Sequence, residues 1–306
     1  MNWAGAVFFA MAAVALYSQL SRYTWVDIRG ALDSIPALNF GYAAAACACA
    51  YLTLSMYDRL ALGYIGRKLS WWKWMLTGFL AFAVSNNAGT APVSGGAIRY
   101  RYYTRWKFRM YEIVEMITFS GFTYLAGCLF TIVLGYFLLP DEMRGTSVVA
   151  LAFWPCLFAL LAYWGLAAFY RGELRLGEIV LKMPRLKTAL MQTGIGTLDS
   201  IFQSLVLYSI LYSLFPVSFD VFLGAFVISQ VLGVFTPVPG ALGVFEGLFI
   251  FLLPGAGENT LPVFGALIAY RVVYYLVPLG IAGAVMLIGP IIGRWALRMR
   301  LGRTVV

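Results

Sequence analysis

Histidine is absent from the chain, and only 11% of its residues carry a charge. Without histidine there is no histidine-based catalytic triad, and most zinc sites are excluded. The four cysteines, Cys47, Cys49, Cys128 and Cys156, lie in apolar runs without CxxC spacing. They read as packed neutral thiols rather than ligands or disulfides. The nucleotide-binding pattern GxxxxGK[ST] is missing, so nothing here cradles ATP. No paired-base motif stands in for these absences, so the expectation is a non-enzyme without cofactor or metal.

What the chain has in excess is apolar surface. Of 306 residues, 62% are hydrophobic, and the mean hydropathy is +0.83. A soluble core of this size cannot use so much, so the fold class is an all-α polytopic membrane protein. Continuous apolar runs argue against a β-barrel, whose strands alternate. The runs lie near residues 3–20, 39–57, 74–98, 112–139, 147–169, 196–215, 223–253 and 263–290. The first contains Ala13-Val14-Ala15 but lacks a basic lead-in, so it reads as a membrane helix rather than a cleaved signal. The net charge of +9 would suggest nucleic acid in a soluble protein. In a membrane chain it reflects basic residues held on the cytoplasmic side, and no nucleic-acid partner is expected.

Those charges set a topology. Basic clusters occupy 59–73, 99–109, 170–190 and the tail from Arg294. If 74–98 crossed fully, the five basic residues of 99–109 would lie outside. If 74–98 and 223–253 are instead re-entrant hairpins, 18 of the 22 Lys and Arg are cytoplasmic. The expectation is one transmembrane domain over 1–306, with six full spans and both termini cytoplasmic. A short amphipathic surface helix is expected over 23–38, with Trp25, Ile28, Ala31, Leu32 and Ile35 on one face.

The two proposed hairpins resemble each other. "AFAVSNNAGTAPVSGG" starts at Ala81 and "AFVISQVLGVFTPVPGA" at Ala225. With one insertion Ala81, Phe82, Ser85, Gly89, Pro92, Val93 and Gly95 meet Ala225, Phe226, Ser229, Gly233, Pro237, Val238 and Gly240. Asn86 falls opposite Gln230. "SIPAL" at 34–38 faintly echoes "KMPRL" at 182–186. The reading is an inverted-topology repeat, about 1–146 and 147–306, each half three spans plus one re-entrant hairpin. Paired interrupted segments point to a site at the repeat interface. Irregular backbone at membrane depth survives only when buried in protein or lining a polar cavity. Pro92, Gly95, Gly96, Pro237, Pro239 and Gly240 are the expected turn residues.

Few charges fall at depth. Arg271 lies inside the last span and Glu246 in the return arm of the second hairpin. They either pair with each other or help bind an anion. Arg99 and Arg101 leave the first hairpin, as topological anchors or as a fork for a phosphate. Asn86, Asn87 and Tyr274 complete the candidate binding set. Asp199 and Glu115, near the cytoplasmic starts of spans, are candidates for proton or ion coupling.

"GGAIRYRYYTRW" (95–106), "PVPGALGVFEGL" (237–248) and "AYRVVYYLVPL" (269–279) resemble the transmembrane flippase domain of bacterial phosphatidylglycerol lysyltransferases, the multiple peptide resistance family. The resemblance covers nearly the whole chain. It implies a bacterial inner-membrane protein that moves aminoacylated or other anionic phosphatidylglycerol outward, lowering surface charge and resisting cationic peptides. It implies roles for Arg99, Arg101, Glu246 and Arg271. Family members continue into a soluble synthase, whereas this sequence stops after "RWALRMRLGRTVV", so a stand-alone relative or a truncated enzyme both fit. Partners implied are membrane phospholipids, a lipid synthase and a further copy of the chain. A transporter of small anions and a non-transporting partner of a lipid-synthesis enzyme are the alternatives.

Overall fold

A computed structural model describes residues 25–87, 91–138, 147–176, 179–234, 241, 243–257 and 260–288. The first apolar run, the turn residues Pro237, Pro239 and Gly240, and the basic tail lie outside the described residues. The chain is an all-α polytopic membrane protein. Its helices are α1 (Trp25–Asp33), α2 (Ala37–Tyr64), α3 (Trp71–Ser85), α4 (Ala91–Tyr103), α5 (Met110–Leu138) and α6 (Ser147–Phe169), then α7 (Leu186–Leu211), α8 (Phe219–Val234) and α9 (Val244–Leu252). The last is α10 (Thr260–Ile288), which passes through a π-helical stretch at Arg271–Leu276.

Four of these, α2, α5, α7 and α10, are long and apolar enough to cross a bilayer. By contrast α3 has 15 residues and α9 only nine. At 1.5 Å per residue, α3 reaches about 22 Å, short of a hydrocarbon core of about 30 Å.

Helix pairs α3–α4 and α8–α9 each return to the end from which they start. Arg67, before α3, donates from Nη2 to the carbonyl of Lys107, after α4, at 3.0 Å. Phe215, before α8, lies against Gly255, after α9. These are opposite ends of the bundle, because α2 and α7 run antiparallel side by side. Asn39 donates to Ser209 O at 2.8 Å, Tyr57 to Asp199 at 3.0 Å, and Tyr64 to Lys182 O at 2.6 Å.

One apolar core joins both halves, with Tyr51, Leu80, Leu207, Phe226, Phe245 and Tyr270 among its members. Between α5 and α7 the approach is closer than side chains permit. A Cβ on Gly127 would lie 2.2 Å from the Gly196 carbonyl carbon. Small residues at such crossings let backbones meet where lipid offers no hydrophobic drive.

The connection between α6 and α7 holds a short antiparallel hairpin of Glu173–Leu176 (β1) and Ile179–Lys182 (β2), Glu173 opposite Lys182. One expectation is corrected. The expected turn residues Pro92, Gly95 and Gly96 lie within α4, which begins at Ala91, while α3 ends at Ser85. Proline fits there because a helix's first N–H groups have no internal partner. Gly95 serves packing instead: a Cβ there would sit 3.1 Å from Ser85 Cβ. The surface helix of 23–38 is α1, ending at Asp33. It packs on α10, and Ile35 is buried just beyond it.

Candidate functional site

Residues two apart on a helix point to opposite faces, and α4 carries both Arg99 and Arg101. Arg99 is buried and Arg101 exposed, so they form no common fork for a phosphate. Arg99 instead meets a carboxylate that sequence reasoning passed over. Its Nη2 lies 2.7 Å and its Nε 3.0 Å from Asp58 Oδ1. Tyr103, one turn further along α4, donates to Asp58 Oδ2 at 2.7 Å. The guanidinium also lies over the Phe82 ring, 4.7 Å from its centroid. Asp58 is fully buried because α2 runs on to Tyr64, past the end of its apolar run.

The second pair is the one expected. Arg271 lies 2.7 Å through Nε and 2.6 Å through Nη2 from Glu246 Oε1. Glu246 Oε2 accepts the Gly243 N–H at 2.8 Å, capping α9. Capping satisfies one of the orphan donors at a helix start and sets negative charge against its positive end. Arg271 is further held over the ring of Tyr275, at 4.5 Å.

The π-helical stretch fastens α2 and Asn87, just beyond α3, to α10. A π turn displaces carbonyls from their ordinary i→i+4 partners, leaving them to bond elsewhere. Three successive carbonyls of α10 accept side-chain donors from the first half. Val273 O accepts from the Cys47 thiol at 3.4 Å, Tyr274 O from the Tyr51 hydroxyl at 3.1 Å, and Tyr275 O from the Asn87 amide at 3.2 Å. Asn86 reaches the Tyr51 hydroxyl at 3.5 Å. The Tyr274 ring packs against Tyr51 and stacks on Tyr270.

Asp199 and Glu115 are not brought together. Asp199 is buried midway along α7, whereas Glu115 is half-buried near the start of α5, close to Glu112 and Lys182. Glu112 caps α5, accepting the Arg109 N–H at 2.7 Å.

Beside that end lies a cavity of about 280 Å³ between α5, α6 and α7. Its walls are mostly apolar, including Phe122, Ala126, Leu129 and Ala162, with Gln192 and Lys182 also among the lining residues. Leu125 and Leu166 are wall residues that are also exposed, so part of the cavity wall reaches the surface of the helix bundle. Phe119 separates it from the Asp58–Arg99 pair, stacked on Tyr64 at 4.5 Å and packed in the cluster around Tyr103.

These features define a membrane-embedded helical protein whose two broken helix pairs are each held by an arginine–carboxylate pair. No family model matches the chain. It is 34% identical over 285 residues to the uncharacterized protein slr0712 of Synechocystis sp., covering 91% of this chain and 88% of that one. It is 27% identical over 284 residues to the inner membrane protein YbhN of Escherichia coli, covering 90% and 88%. The chain belongs to the family of the Synechocystis protein.

Proposed function

We propose that the protein moves an anionic or aminoacylated phospholipid, of the phosphatidylglycerol kind, from the inner to the outer leaflet of a bacterial inner membrane. The observation that carries this reading is the cavity. It is mostly apolar, its wall residues Leu125 and Leu166 reach the surface, and the exposed Lys182 is among the residues that line it. A phosphate engages such a cation while acyl chains keep to apolar walls. A small anionic solute would call for an enclosed polar route. Buried Arg99 and half-buried Arg271 are each held by a carboxylate at 2.7 and 2.6 Å, whereas the exposed Lys182 lies near Glu115 at the surface.

The reading includes an inverted repeat with two re-entrant hairpins and both termini cytoplasmic. It is supported by the recurrence of long helix, broken pair and long helix in α2, α3–α4, α5 and again in α7, α8–α9, α10. Antiparallel packing of α2 on α7 fits the inversion. Asn86, just beyond α3, bonds Tyr51 of α2, as Gln230 of α8 bonds Gln203 of α7. The inner-membrane placement is supported by the Escherichia coli relative, and lipid movement by the resemblance of the three motifs.

The test is leaflet-resolved exposure of labelled phosphatidylglycerol and its lysyl ester in vesicles with and without the protein. Faster exposure of either lipid with the protein supports the reading. Equal rates would leave a non-transporting partner of lipid synthesis.

A further inference from the structure

Asp199 takes no part in the site described above. It is fully buried, and its two oxygens accept hydrogen bonds from neutral donors, the Tyr57 hydroxyl of α2 at 3.0 Å and the Gln203 amide at 2.9 Å. Gln203 accepts in turn from the amide of Gln230 on α8. The other titratable groups within electrostatic reach are Tyr51 of α2, Tyr124 and Cys128 of α5 and Tyr274 of α10. None of these is a cation, and no lysine or arginine among the described residues bonds to Asp199. Two buried polar atoms around this network, the Tyr274 hydroxyl and Gln230 Oε1, have no hydrogen-bond partner among the described residues. Asp58 and Glu246, the other buried carboxylates among the described residues, each face an arginine.

An ionised carboxylate in an apolar interior without a counter-charge is costly, and a proton relieves that cost. We propose that Asp199 is a proton-binding site whose occupancy is relayed through Gln203 to Gln230 on the second broken pair. The network serves both states. With Asp199 ionised, Tyr57 donates to Oδ2. With a proton taken from water onto Oδ2, the acid O–H donates to the Tyr57 oxygen, and the hydroxyl hydrogen rotates away. Loss of the proton to water on the other side of the membrane restores the first state. What this cycle drives rests on the translocation reading; the binding of the proton does not.

Infrared difference spectra of the full chain in lipid nanodiscs, titrated from acid to alkaline, test the binding. The wild type is expected to show a carboxylic-acid carbonyl band that disappears as pH rises. Asp199→Asn, which is isosteric, should lack it, and Asp199→Glu should show it displaced. An identical band in Asp199→Asn would overturn the proposal, as would loss of the wild-type band on adding Na⁺ at fixed pH. Labelled phosphatidylglycerol in vesicles carrying a pH gradient tests the coupling. Its movement should follow the gradient in wild type and ignore it in Asp199→Asn. Wild-type movement indifferent to the gradient would overturn the relay. A titrating Asp199 band with no lipid movement would uphold the proton site and sink only the translocation reading.

Discussion

Arg99 and Asp58 lie 41 residues apart and meet at 2.7 Å in the interior, with Tyr103 completing the carboxylate's bonds. Removing one partner strands the other, which costs about 3–5 kcal/mol, whereas removing both is close to neutral. Arg99→Met alone should therefore destabilise by that amount. Asp58→Leu with Arg99→Met should recover most of it. A residue of about 1–3 kcal/mol should remain for the orphaned Tyr103 hydroxyl, and Tyr103→Phe should remove it. Chemical unfolding in mixed micelles measures all three steps.

Glu246 holds Arg271 with one oxygen and caps α9 with the other. Glu246→Gln keeps an acceptor for the Gly243 N–H but loses the charge. Glu246→Ala loses both. The alanine variant should be less stable than the glutamine variant by about 1 kcal/mol, the usual worth of a cap. Arg271→Lys should weaken the pair as well, because lysine provides no planar fork to lie over Tyr275. Amide hydrogen exchange along 244–252 should rise in the order glutamine, then alanine.

The α5–α7 crossing at Gly127 and Gly196 leaves no room for a methyl group. Gly196→Ala or Gly127→Ala should force the two helices apart and cost about 1–3 kcal/mol. Gly194→Ala, two residues away with nothing within 4 Å of its Cβ, should be neutral or mildly stabilising. Parallel unfolding of the three variants checks the contrast.

The spans were legible because runs of about twenty apolar residues have one stable arrangement in lipid. The first broken pair was expected because a full crossing at 74–98 would put the basic cluster of Arg99 to Arg109 on the side away from that of 59–73; in the fold Arg67 and Lys107 meet at one end. Helix starts were less so. α7 begins at Leu186, ten residues before its apolar run, because Gln192 and Thr193 look like surface residues. In the fold they are buried, bonded to Tyr163 and Trp164 of α6. Asp58 sits beside Arg59 just past the 39–57 apolar run, and nothing local ties it to Arg99. Arg99 and Arg101 looked like a fork until helix geometry set them on opposite faces. The π-helical stretch had no local signal, since three of its carbonyls accept from Cys47, Tyr51 and Asn87, far away in the chain.

Cavity shape bears on the central claim most directly. Ala162 lines the cavity, so Ala162→Trp should fill it while leaving both arginine pairs intact. Wild-type protein in vesicles should expose labelled phosphatidylglycerol or its lysyl ester in the outer leaflet faster than protein-free vesicles do. Ala162→Trp, folded as judged by its unfolding midpoint, should fall to the protein-free rate, and Lys182→Glu should slow the anionic lipid. Wild-type and protein-free vesicles exchanging both lipids at the same rate would contradict the account.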